Sequence, residues 1–118
     1  MAAMDIVGHV RLADTRRLDY LVATLRSLEA VAPLTGRVRL NVENGHGLRV
    51  ALRAVLHAAG FRNVEVSAQG DLGFGPTYRG LLARTEAPWV MHLEEDHCCM
   101  LTDTAAMADL LAFARGHV

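Results

Sequence analysis

Hydrophobic and polar positions alternate through "DIVGHVRL", residues 5–12. A period of two predicts a strand, and the polar "ADTRR" after it predicts a loop. The period then lengthens: Leu18, Leu21, Val22, Leu25 and Leu28 recur at helical spacing, predicting an amphipathic helix that Pro33 and Gly36 terminate. "RVRLNVE", residues 37–43, alternates again with Val38, Leu40 and Val42 on one face, and stops at "NGHG". A second helix follows, with Leu48, Leu52, Val55, Leu56 and Ala59 on its apolar stripe and Gly60 as its C-terminal cap. "NVEVSA", residues 63–68, reads as a third strand. The glycine-rich "QGDLGFGP" enters a third helix near Pro76, a residue favoured in a first turn, with Tyr78, Leu81 and Leu82 inward. "PWVMHL", residues 88–93, is nearly continuous in apolar residues, the pattern of a strand covered on both faces. Thr102 or Asp103 caps a last helix with Met107, Leu110, Leu111 and Ala114 along one side.

Strands alternating with helices imply parallel strands joined by right-handed crossovers, hence an α/β fold: a three-layer sandwich with a mostly parallel sheet. No linker, repeat or low-complexity tract interrupts the series, so residues 1–118 read as a single domain. In such sheets ligands collect beyond the carboxyl ends of the strands. The clusters "DTRR", "ENGH", "GDLGFG" and "EEDH" all follow strands and are expected to meet on one rim.

Composition narrows the partners. A net charge of -1 argues against nucleic acid, and all 12 basic residues are arginine. No apolar run reaches the roughly 18 residues of a transmembrane segment, and Met1–Val10 has no basic leader region. The expected location is cytoplasmic. Cys98 and Cys99 are adjacent, which excludes a disulfide framework.

Glu94, Glu95 and Asp96 stand in a row directly after the last apolar strand. Like charges this close repel, which calls for a bound cation, arginine partners or a raised pKa on at least one of them. A hard divalent ion, Mg2+ or Mn2+, takes one or two carboxylates and completes its shell with water and phosphate oxygens, so the triplet fits a metal-diphosphate site; an ordinary solvated strand-to-loop junction is the other reading. "GDLGFGP" likewise fits either a close backbone approach to phosphate or a tight turn before a helix. Without lysine it completes no phosphate-binding loop of the Lys-Ser/Thr type. His92, His97, Cys98 and Cys99 are zinc-ligand types. Neighbours on an extended segment point to opposite faces, however, so the cysteines read as small apolar fillers and His92 as a satisfied interior histidine. Ser27 and Ser67 lie in no nucleophile signature.

Taken in order, these motifs resemble the N-terminal, nucleotide-sugar-binding half of a GT-A-fold glycosyltransferase, most closely family 2. "RRLDYLVATLRSL" is similar to that family's "NRpdyLxxtLxSL", with Arg16 in place of the asparagine. "VENGH" resembles its "vDdgS" turn, "GDLGFGPTYRGLL" its glycine-rich "nxGxxxarNxgl" with Tyr78 at the asparagine, and "HLEEDH" its "flDdD" motif. The resemblance implies a Rossmann-like region in which Arg16, Arg17, Glu43, Asp71, Glu94 and Glu95 contact the nucleotide-diphosphate sugar. Glu43 takes the position of the acid that meets the base or ribose, Glu95 that of a ribose or diphosphate contact, and Asp96 that of the ligand for Mn2+ or Mg2+. Family members continue into an acceptor-binding half that supplies the catalytic base, so the resemblance also implies a region truncated before that half. The acceptor and the base are unassigned. The alternative is a noncatalytic α/β interaction module that self-associates as a homo-oligomer, because half a fold leaves a sheet edge and apolar helix surface uncovered.

Overall fold

A computed structural model describes residues 3–12, 15–43, 45–68, 74–94 and 103–116, without the side chains of His46 and Phe74. In chain order the elements are β1 (Met4–Arg11), α1 (Thr15–Ser27), a 3-10 segment (Glu29–Leu34), β2 (Thr35–Glu43), a short 3-10 turn (His46–Leu48), α2 (Arg49–Ala58), β3 (Val64–Ser67), α3 (Phe74–Ala83), β4 (Trp89–Leu93) and α4 (Thr104–Gly116). All pairings are parallel and the strand order is β3-β2-β1-β4. The chain therefore builds outward from β1 through β2 to β3, then returns to the other side of β1 for β4.

Strand alternation divides the sheet into two unlike faces. Met4, Ile6 and Val10 of β1, Val38, Leu40 and Val42 of β2, Val66 of β3 and Leu93 of β4 are buried in one apolar cluster with Leu21 and Leu25 of α1, Leu52 and Leu56 of α2 and Met107 of α4. Each such side chain, fully withdrawn from water, contributes about 1.5–3 kcal/mol. The other face carries Asp5 beside Arg37 where the β1–β2 register shifts, then Val7, His9 and Arg11 in register with Arg39, Asn41 and Glu43 of β2, with Glu65 and Ser67 of β3 and His92 of β4 alongside. α3 lies over this polar face, reaching Glu65 through the flanking Arg84 and His92 through Tyr78. Helices on both sides of a parallel sheet make the three-layer α/β arrangement.

At Gly8 the apolar face leaves no room for a side chain. A Cβ there would stand 3.0 Å from Cβ and O of Leu93 and 3.2 Å from Leu40 Cδ1. At the end of α2, Gly60 has φ of 106°, and the amides of Gly60 and Phe61 donate to the carbonyls of His57 (3.0 Å) and Leu56 (3.2 Å). This paired closure needs a left-handed residue, which glycine supplies without strain.

Several expectations change. α1 ends at Ser27, before Pro33, because the chain tightens into the 3-10 segment and runs straight into β2. β4 is an edge strand of the described sheet: Val90 is 40% exposed, and its apolar run reflects burial on one face only. His92 is correspondingly not an interior residue; its side chain is 42% exposed. Leu82 and Leu110 face outward rather than inward. Asp103, by contrast, caps α4 as expected, its Oδ1 accepting the Ala105 amide at 2.9 Å. Among the described residues no helix is long and apolar enough to cross a membrane.

Candidate ligand-binding rim at the strand ends

The direction of chain growth reverses between β1 and β4, so their carboxyl ends flank a topological switch point. Adjacent crossovers leave this end of the sheet on opposite faces there, the position at which parallel α/β sheets characteristically bind ligands. β1 extends beyond its partner: Gly8 pairs with Leu93, and His9, Val10 and Arg11 project past the described part of β4. Four of the seven residues expected at the site fall within the described structure, namely Arg16, Arg17, Glu43 and Glu94. Asp71, Glu95 and Asp96 lie outside the described residues, as do His97, Cys98 and Cys99.

Glu43 ends β2 and is held between two residues of β1. Its Oε2 lies 3.7 Å from His9 Nε2 and its Oε1 3.9 Å from Arg11 Nε. Arg11 is 72% exposed on its side chain, so that pair stabilises little on its own. His9 is enclosed, with a side chain only 5% exposed. Beneath it runs a polar chain across three strands: Ser67 Oγ donates to Asn41 Oδ1 at 2.7 Å, and Asn41 Nδ2 contacts His9 Nδ1 at 2.8 Å. With the amide as donor, Nδ1 accepts and the ring proton sits on Nε2, facing Glu43. The network thus fixes the imidazole, whose Nε2 lies beside Glu43 but beyond hydrogen-bond distance.

Across the switch point, Glu94 follows β4 and its Oε1 lies 3.2 Å from His92 Nε2, while Tyr78 Oη lies 2.6 Å from His92 Nδ1. The two rings meet edge to face with centroids 5.1 Å apart. Burial raises the Tyr78 phenol above its usual 10.0 by disfavouring the phenolate. The phenol therefore keeps its proton and can donate it to Nδ1, leaving Nε2–H to face Glu94. Each strand-end carboxylate therefore has a histidine beside it, within hydrogen-bond distance at Glu94 and farther off at Glu43.

Arg16 and Arg17 occupy the first turn of α1, exposed, with no acid beside them in that turn. Cations at a helix N-terminus oppose the macrodipole, so the helix itself does not favour this placement. Its effect is a concentration of positive charge beyond β1, next to strand ends that carry Glu43 and Glu94. The arrangement favours an anionic group near α1 while offering oxygen donors of the kind hard divalent cations prefer. Among the described residues, no three His, Cys, Asp or Glu side chains gather closely enough to hold a metal ion.

The sequence motifs single out none of His9, Asn41 and Ser67 as site residues, and the pattern of β4 places His92 in the interior, where the structure does not. The available signal is the second face of each strand: polar residues hold alternate positions at Asp5, His9 and Arg11, interrupted by Val7, and again at Arg37, Arg39, Asn41 and Glu43. Searches against protein-family models, curated proteins and solved structures return no match to this chain.

Proposed function

We propose that this chain binds a nucleotide-diphosphate sugar together with Mn2+ or Mg2+ across the rim between β1 and β4, as the donor-binding region of a glycosyltransferase. The observation that carries the reading is the opposition of charge over the switch point, with Arg16 and Arg17 on the first turn of α1 and the carboxylates of Glu43 and Glu94 on the strand ends. Glu94 directly precedes Glu95 and Asp96, and a consecutive set of carboxylate oxygens suits a hard divalent cation. The resemblance to GT-A glycosyltransferases assigns the metal to Asp96 and a ribose or diphosphate contact to Glu95. When bound, the metal supplies positive charge that stabilises the diphosphate leaving group. The chain's own residues orient that group: the helix N-terminus and its arginines take the phosphates, and Glu43 takes the ribose or base. An acceptor and a general base belong to no residue identified here.

Amide resonances of isotopically labelled protein, followed during titration with UDP and Mg2+, test this reading. Saturable shifts at Arg11, Leu12, Arg16, Arg17 and Glu94 are expected. Their absence, in protein whose spectrum is that of a folded chain, would remove it.

A separate observation favours self-association. The edge strand β4 exposes Val90, and α4 exposes Leu110 at 55% and Phe113 at 62%. A sheet edge beside apolar helix surface is a common site of pairing between copies. Sedimentation equilibrium should detect a dimer that Phe113→Asp weakens; a monomer throughout the micromolar range would dismiss it.

A further inference from the structure

The opposite edge of the sheet, at the amino ends of the strands, holds a second polar feature that the proposed donor site does not use. A cleft of about 330 Å³ is lined there by Asp5, Arg37, Arg39, Asn63, Arg84 and Pro88, among others. Arg39 is only 3% exposed, yet its Nε and Nη1 have no hydrogen-bond partner among the described residues. Glu65 Oε2 lies 3.5 Å from Nε without meeting hydrogen-bond geometry. That carboxylate is already engaged by Arg84, whose Nη2 donates to both of its oxygens at 2.7 and 2.8 Å.

The other acid deep in the cleft is also committed. Asp5 is 5% exposed, and its two oxygens accept the amides of Arg37 at 3.0 Å and Glu86 at 3.4 Å. Glu86, at the mouth, is exposed. Buried polar groups in folded proteins are almost always paired, and a buried guanidinium with unmet donors is the costliest exception. The cleft therefore lacks an acceptor at its floor, while exposed Arg37 adds a second cation at its mouth.

We infer that this cleft binds a small oxyanion, a phosphate or carboxylate group, with Arg39 Nη1 at its floor and Arg37 closing over it. Around the cleft three arginines meet Asp5, Glu86 and the Glu65 carboxylate that Arg84 holds, so the charges balance and it is the unmet donors of Arg39 that call for an acceptor. Recognition works through charge-assisted hydrogen bonds at short range, where arginine matches oxyanion geometry. The site lies at the other end of the strands from the proposed donor rim and does not depend on that reading.

The test is a titration of labelled protein with sodium phosphate, sodium acetate and sodium chloride at constant ionic strength, following the Arg39 Nε–Hε resonance and the amides of Arg37, Asn63 and Arg84. Saturable shifts with phosphate identify a phosphate site, and saturable shifts with acetate alone identify a carboxylate site. Arg37→Ala, a change at the exposed mouth, should weaken the affinity about tenfold while leaving the fold intact. Shifts that match those in chloride, or that Arg37→Ala leaves unaltered, would overturn the inference. Binding at the donor rim instead would shift Arg16 and Arg17 and spare Arg39, which also counts against it.

Discussion

Replacing Gly8 by alanine puts a methyl group where β1 passes between Leu40 and Leu93. The new Cβ would lie 3.0 Å from both Cβ and O of Leu93 and 3.2 Å from Leu40 Cδ1. Leu40 can yield by a rotamer adjustment, but the Leu93 contacts are to the backbone oxygen and the root of the side chain. β4 must therefore move away from β1 at Gly8–Leu93, the last pair of that ladder. Overpacking of this kind costs about 1–3 kcal/mol. The restricted unfolded chain of an alanine variant returns about 0.4–1 kcal/mol. The net loss is about 1–2 kcal/mol, and at about 4 °C per kcal/mol for a chain of this size Tm falls by about 4–8 °C. Thermal and urea unfolding followed by circular dichroism measure it, and amide exchange at Leu93 and Glu94 should quicken as the ladder end loosens. A variant as stable as the parent, with unchanged exchange at β4, would refute the claim that the strands approach this closely.

Asn41→Ala leaves Ser67 and His9 without their shared partner in a site where Asn41 is 1% exposed, so urea unfolding should show a loss of about 1–3 kcal/mol; parental stability would mean the network is not formed. Because burial raises the Tyr78 phenol, the stability tied to its protonated form is complete below pH 10.0 and is lost as pH rises through the higher folded value. Alkaline unfolding should accordingly flatten in Tyr78→Phe, and one of the two tyrosines should titrate late by ultraviolet absorbance; identical alkaline profiles for both proteins would contradict this. Gly60→Ala forces a side chain into φ of 106° and should cost about 1–2 kcal/mol by the same unfolding assay, a neutral result ruling out the left-handed closure of α2.

Much of the architecture was legible because one pattern governs it. Val38, Leu40 and Val42 alternate in the sequence and lie on one buried face, and Leu52 and Leu56 recur at helical spacing and face the same core. Gly60 after the α2 stripe marked a helix end that the backbone bears out. Legibility failed where an apolar run has two causes. "WVMHL" reads as a strand covered on both faces, but an edge strand with Trp89, Met91 and Leu93 toward the core has the same composition, and pairing order is a long-range property. The rim was legible as a place, since the strand ends must converge there. The links among its residues were not, because His9, Asn41 and Ser67 meet only through the register of three strands far apart in the chain.

The charge opposition across the switch point has meaning only if a metal-bound diphosphate fits there. Titration calorimetry of UDP, GDP and UDP-glucose against the protein, with Mn2+ and again with EDTA, tests that directly. The account predicts nucleotide binding that requires the metal, disappears in Asp96→Ala and weakens in Glu94→Gln. Well-folded protein that binds none of the three with Mn2+ present, or binds equally well in EDTA and in Asp96→Ala, would contradict it.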